Sequence, residues 1–193
     1  MSRKPRAGRN PGSVPDPWVL GIDPSLTRTA AVLIPPEWVL GDWASLRYAS
    51  FVEPMPRRDS FAEPLAYEKF RIERMARIAE RVAEFVLKTP GVVRGFIEGY
   101  GYTMGGAGAH SLAEFGGILR YWLVLRCGLV VEPVQEASAR KLLLGKLPKK
   151  DRKLAVQLAY GKAGAPFNSD EADAMTVASW GMSEIGLTAL SLA

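Results

Sequence analysis

The chain is predicted to fold as an α/β protein, with a mixed central sheet of about five strands and helices on both faces. Three observations predict this. Short apolar runs bounded by turn residues recur five times along the chain, which is the signature of buried strands. A long stretch with helical spacing separates the first three runs from the fourth, and another separates the fourth from the fifth. The remaining third of the chain is helical in pattern, so a sheet between helical layers is the architecture that buries every apolar face.

Taken in order, residues 19–23 and 30–34 are apolar runs joined by Pro24-Ser25-Leu26-Thr27-Arg28-Thr29, two strands and a turn. Pro35-Pro36 ends the second, and a third strand is expected over residues 46–52, followed by a Pro- and Arg-containing connector over residues 53–63. From 65 to 88 the residues Met75, Ile78, Ala79, Val82, Phe85 and Val86 recur at helical spacing among Arg and Glu, which makes an amphipathic helix. Pro90-Gly91 stops it. Residues 92–97 then read as a strand buried on both faces. A Gly-rich loop over residues 99–108 leads to a second helix over 111–126, with Leu112, Phe115, Leu119 and Trp122 on its apolar face and Gly116-Gly117 allowing close packing. A last strand is expected at 130–134, and helices at 136–144, 149–161 and 170 to about 185.

With 193 residues, 48% of them hydrophobic and 23% charged, the chain has the composition of one globular domain with an ordinary core. Residues 1–17 mix Pro, Gly, Ser and Arg without periodicity and are expected to be a disordered basic tail, leaving 18–193 as the folded domain. The single Cys127 cannot form an intramolecular disulfide, which excludes a disulfide scaffold and points to a reducing compartment. No apolar run is long enough to span a membrane and the start lacks a signal-peptide core, so a cytoplasmic protein without membrane association is expected.

The formal net charge of +5 is unevenly spread. Arg3, Lys4, Arg6 and Arg9 face only Asp16 in the tail, while Arg140, Lys141, Lys146, Lys149, Lys150, Arg152, Lys153 and Lys162 face only Asp151. The second stretch therefore carries +7, and the rest of the chain is acidic. A basic stretch alone is most simply a solvated helix face. Beside a cluster of carboxylates it points to a polyanion held by its phosphates.

Four carboxylates form that cluster. Asp23 closes the first strand, Glu98 closes the fourth, and Asp170 and Asp173 stand three apart on one face of the last helix. Sites in open α/β sheets lie at the carboxyl ends of strands. An Asp there is often only a turn residue. A Glu ending a buried strand must be protonated, bound to a cation or paired with an Arg. Asp170 has an alternative role at the helix start, where the dipole favours acids, but Asp173 sits deeper, among Ala172, Ala174, Met175 and Val177. Two close carboxylates on a half-buried face repel unless a cation lies between them. Two Mg²⁺ ions held this way can activate water and stabilise the leaving oxygen of a phosphodiester.

In Leu20-Gly-Ile-Asp-Pro-Ser-Leu-Thr-Arg-Thr29, Phe96-Ile-Glu-Gly99, and the segment from Val134 through Lys141, Gly145-Lys146 and Lys149-Lys150 to Asp170-Glu-Ala-Asp-Ala174, the chain resembles the RuvC family of Holliday junction resolvases. That family belongs to the RNase H and retroviral-integrase fold group. The short linker from Gly145 to Lys150 is closer to phage-type members. The resemblance implies a Mg²⁺-dependent endonuclease, with Mn²⁺ as a substitute and two ions per site, that cuts four-way and other branched DNA as a homodimer. It implies Asp23, Glu98, Asp170 and Asp173 as metal ligands and Lys149 or Lys150 as the active-site lysine. Arg140, Lys141, Lys146, Arg152 and Lys153 are the expected DNA contacts. Thr27 and Thr29 match hydroxyl residues of the family, though hydrogen bonds within the turn account for them equally well.

Two departures stand out. Gly101 occupies the position of a base-stacking Phe, leaving the flanking Tyr100 and Tyr102 as candidates to stack on DNA bases. Ala30 replaces a usual glycine. His110, the only histidine, lies at the start of the second helix, where a helix-end role is expected. A dimer surface is expected on that helix around Phe115, Leu119 and Trp122, residues that core burial would equally explain. Other readings are a nuclease of the same fold acting on RNA/DNA hybrids or flaps, a junction-binding protein without catalysis, and an actin-like or sugar-kinase ATPase suggested by Gly21-Ile22-Asp23-Pro24.

Overall fold

The computed structural model describes residues 17–89, 91, 93–99, 107–145 and 152–187. Five strands are present: β1 Trp18–Asp23, β2 Thr29–Ile34, β3 Arg47–Phe51, β4 Val93–Glu98 and β5 Val131–Val134. Five α-helices accompany them: α1 Pro64–Leu87, α2 Ala107–Cys127, α3 Glu136–Leu144, α4 Arg152–Lys162 and α5 Ser169–Glu184. The sheet order is β3-β2-β1-β4-β5. β1 and β3 both run antiparallel to β2, whereas β1, β4 and β5 run parallel to one another. Parallel neighbours need crossovers, and α1 and α2 supply them. The mixed α/β sheet with helices on both faces is thus as the sequence predicts.

Alternation along the strands divides the core in two. Leu20, Ile22, Ala31, Leu33 and Ile97 pack with Met75, Ile78 and Val82 of α1 and with Phe115, Leu119 and Leu123 of α2. On the opposite face Val19, Ala30, Val32, Ile34 and Phe96 meet α5, α3 and α4 through Ala174, Val177, Ala178, Leu143, Val156 and Tyr160. α5 is buried without interruption from Glu171 to Ser179, because the sheet lies on one side of it and α3 and α4 on the other.

Two glycines set how close α5 comes to the sheet. A Cβ on Gly21 would fall within 2.7 Å of the Ala178 Cβ, and nearer still to the Ala174 carbonyl oxygen and the Ala178 backbone nitrogen. A Cβ on Gly181 would strike the Phe96 ring, 2.9 Å from Cγ. Helix backbone therefore rests directly on β1, while a ring on β4 fills the hollow that Gly181 leaves.

Two expectations are corrected. β4 is not buried on both faces along its length: Arg94 is exposed and pairs with Glu132 of β5 at 2.9 Å, since β5 is the last strand of the sheet and leaves that flank open. Phe115 and Leu119 are fully buried against the sheet, so they are not available as a surface; α2 instead turns Tyr121, Val124 and Leu125 outward. Among the described residues no helix is long and apolar enough to cross a membrane. Residues 1–16 of the expected tail, together with Tyr100, Tyr102, Lys146, Lys149 and Lys150, lie outside the described residues.

Candidate metal centre

β1 and β4 are parallel neighbours, so their carboxyl ends lie side by side and place Asp23 next to Glu98. Gly21 and Asp23 point to the same face of the sheet, the face on which α5 rests. Contact at Gly21 fixes Ala174 and Ala178 over β1, and this carries the start of α5, with Asp170 and Asp173, over the strand ends.

That helix start is held by a capping box. Asn168 Oδ1 accepts hydrogen bonds from the Asp170 and Glu171 backbone amides, each at 3.0 Å, and Glu171 Oε2 accepts from the Asn168 amide at 3.1 Å. Glu171 also receives the Ser50 hydroxyl from β3 at 3.0 Å. Of the two acids in the first turn, Glu171 is therefore the capping residue. The Asp170 carboxylate faces the cluster instead.

The carboxylates are crowded and poorly solvated. Burial, followed by the charges of Asp173 and Asp170, raises the pKa of Asp23 to about 7, against the opposing pull of Lys153 and a hydrogen bond with Glu98. Glu98 is raised to about 9, first by burial and then by Asp23, Glu136 and Asp173. Both shifts have one meaning: the folded chain resists full ionisation of this cluster without added positive charge.

Two side chains supply part of that charge. Arg140 donates to Asp173 Oδ1 at 3.0 Å and is gripped from behind by Glu136, one helical turn earlier on α3. Lys153, in the first turn of α4, reaches Asp173 Oδ2 at 3.0 Å and Asp170 Oδ1 at 3.4 Å. Although burial opposes its charge, the nearby Asp173, Asp23 and Asp170 raise the Lys153 pKa. Arg28, from the β1–β2 turn, stands 3.9 Å from Asp170 Oδ2. Thr29 Oγ1 donates to the Ser25 carbonyl at 2.9 Å and the Thr27 hydroxyl lies 3.0 Å from that of Ser25, so both threonines make turn hydrogen bonds.

The structure thus brings Asp23, Glu98, Asp170 and Asp173 to one end of the sheet. Arg140 and Lys153 join them there, facing carboxylates. Lys141 is exposed on α3, and Arg152 begins α4. His110 is exposed near the start of α2. Sequence reasoning missed Gly21, Arg28 and Glu136 as parts of the arrangement; of these only Glu136, four residues before Arg140, carried a local signal.

Among the described residues no three His, Cys, Asp or Glu side chains form a ready-made metal cage. The donor chemistry nonetheless fits Mg²⁺. This ion takes hard oxygen ligands, keeps several waters and commonly uses only one or two carboxylates. Asp23 with Glu98, and Asp23 with Asp173 or Asp170, are the pairs that would hold it.

A five-stranded mixed sheet with an acidic end at the termini of its two central parallel strands defines the class to which this chain is compared. Within that class the chain is similar to Thermus thermophilus RuvC, at 21% identity and a TM-score of 0.59 over 88% of this chain and 96% of that one. A structure of T. thermophilus RuvC in complex with Holliday junction substrate aligns at 20% identity and TM-score 0.57, with the same coverage. The chain shares their fold. A glucomannokinase from Arthrobacter sp. strain KM aligns at a TM-score of only 0.34, which carries no weight for the kinase alternative. No protein-family model matches, and no curated protein matches.

Proposed function

We propose that the protein is a metal-dependent endonuclease that cuts branched DNA, with four-way junctions as its principal substrate. The observation that carries this reading is the meeting of Asp23, Glu98, Asp170 and Asp173 at the strand ends, flanked by the basic α3–α4 stretch. A surface that only bound DNA would gain nothing from clustered acids near phosphates. The shared fold with RuvC, including the form bound to a Holliday junction, supports the same reading.

In this proposal Asp23, Glu98 and Asp173 would hold the metal, with Asp170 as a further ligand. Bound Mg²⁺ or Mn²⁺ supplies a nucleophilic water at neutral pH and charge for the departing oxygen. Arg140 orients Asp173 while Glu136 holds Arg140 in place. Lys141, Lys146, Arg152 and Lys153 steer DNA phosphates toward the acids, and Lys149 or Lys150 contacts the phosphate being cut. Tyr100 or Tyr102 stacks on an unpaired base. The short linker over 145–150 favours a phage-type enzyme, and symmetric cutting calls for a homodimer. Its contact surface lies on α2, around the exposed Tyr121, Val124 and Leu125.

Labelled four-way junction, flap, linear duplex and RNA/DNA hybrid substrates, incubated with and without Mg²⁺, test the proposal. The junction should be nicked only with metal, and Asp23→Asn should abolish nicking while junction binding survives. Undiminished cleavage by Asp23→Asn would refute the assignment, and preferential hybrid cleavage would redirect it to RNA.

A further inference from the structure

The two cations facing the carboxylates are held very differently. The Arg140 side chain is 12% exposed and lies between Glu136 and Asp173, so it is fixed from both sides. The Lys153 side chain is 56% exposed and reaches Asp173 and Asp170 from the solvent side, on a flexible four-carbon stem. Together they engage both oxygens of Asp173, Arg140 at Oδ1 and Lys153 at Oδ2. An ammonium 3.0 Å from Oδ2 and a divalent ion on the same oxygen would repel each other, so the two compete for that position.

We propose that Lys153 is an exchangeable internal counter-ion: its ammonium occupies Asp173 and Asp170 in the metal-free protein and yields that place to an incoming divalent cation, while Arg140 stays. This rests on the metal-binding reading of the site. The burial contrast assigns the roles. Arg140 cannot lose its charge, and its departure would leave Glu136 unpaired and Oδ1 of the almost fully buried Asp173 without its partner, whereas Lys153 can swing out and recover its hydration. In the metal-free protein the position on Asp173 Oδ2 is thus filled by the protein's own cation. The exchange also assigns a consequence to metal loading, which is the release of a positive charge at the mouth of the site, where a DNA phosphate would meet it.

Isothermal titration of the full-length protein with Mg²⁺ or Mn²⁺ alone, without DNA, tests this. Lys153→Met should bind the metal at least about three-fold more tightly than the wild type, as expected for removal of a competing ion pair. Lys162→Met removes the same charge from an exposed position at the far end of α4 and should leave the affinity unchanged. In the wild type, the Lys153 ammonium resonance should move toward that of a free, hydrated lysine as metal is added. Unchanged or weaker binding by Lys153→Met would overturn the proposal, as would an equal gain from Lys162→Met or an ammonium signal that ignores the metal. Absence of metal binding in both wild type and Lys153→Met would overturn the metal reading itself, a distinct result.

Discussion

The two faces of the sheet are built by different means. On the α1–α2 face large side chains interdigitate, with Met75, Ile78, Val82, Phe115, Leu119 and Leu123 separating helix from strand. On the α5 face, at Gly21, helix backbone lies against strand backbone with no side chain between. The first arrangement makes ordinary core, whose helices can shift by a fraction of an ångström as side chains adjust. The second is a hard stop. It is also the face that carries the carboxylates, which indicates that close packing there sets the site while the opposite face supplies stability.

Substitutions on the two faces should therefore separate stability from site geometry. Gly21→Val, the most severe, inserts a branched side chain into the α5 backbone and should yield no folded, metal-binding protein; recovery of a soluble product with normal circular dichroism and metal affinity would remove the hard-stop argument. Leu119→Ala, on the other face, should lower stability by about 2–5 kcal/mol in denaturant titration yet leave metal affinity unchanged. Gly181→Ala, which presses on the Phe96 ring, should cost about 1–3 kcal/mol. Unlike Leu119→Ala, it should also weaken metal binding, because α5 is displaced.

A smaller effect follows from the raised carboxyl pKa values. In the unfolded chain Asp23 and Glu98 ionise near 3.8 and 4.5, whereas in the folded chain they keep their protons up to about 7 and about 9. Between these limits the unfolded state binds fewer protons, so their stabilising contribution is complete below about pH 4 and is lost as the pH rises through 7 to 9. The Tm of the metal-free protein should fall between pH 5 and 9. Asp23→Asn should flatten that slope and Mg²⁺ should oppose it. Smallest of all, Arg94→Ala removes an exposed pair on the sheet margin and should change stability by about 1 kcal/mol or less.

Much of this was legible in the sequence. Strand bounds agree to within a residue or so, with 19–23 expected for Trp18–Asp23 and 46–52 for Arg47–Phe51, because short apolar runs between turn residues have few other ways to fold. Strand-end acids and an i, i+3 pair marked the cluster for a similar reason: the geometry of regular elements puts them where they are found. What could not be read was pairwise. Nothing local announces that Gly21 receives the backbone of a helix more than 150 residues later, or that Arg140 and Lys153 turn toward Asp173. On α2 the sequence put Phe115 and Leu119 on one apolar face without deciding between core and dimer surface, because the helix is apolar on more than one side; the fold buries these two and exposes Tyr121, Val124 and Leu125.

Crystals of the protein grown with Mn²⁺ and measured at the manganese absorption edge would locate the metal itself. Anomalous peaks are expected at Asp23, Glu98 and Asp173, with the Lys153 side chain withdrawn. A map without manganese at those carboxylates, with Lys153 still seated on Asp173 at saturating metal, would contradict the account.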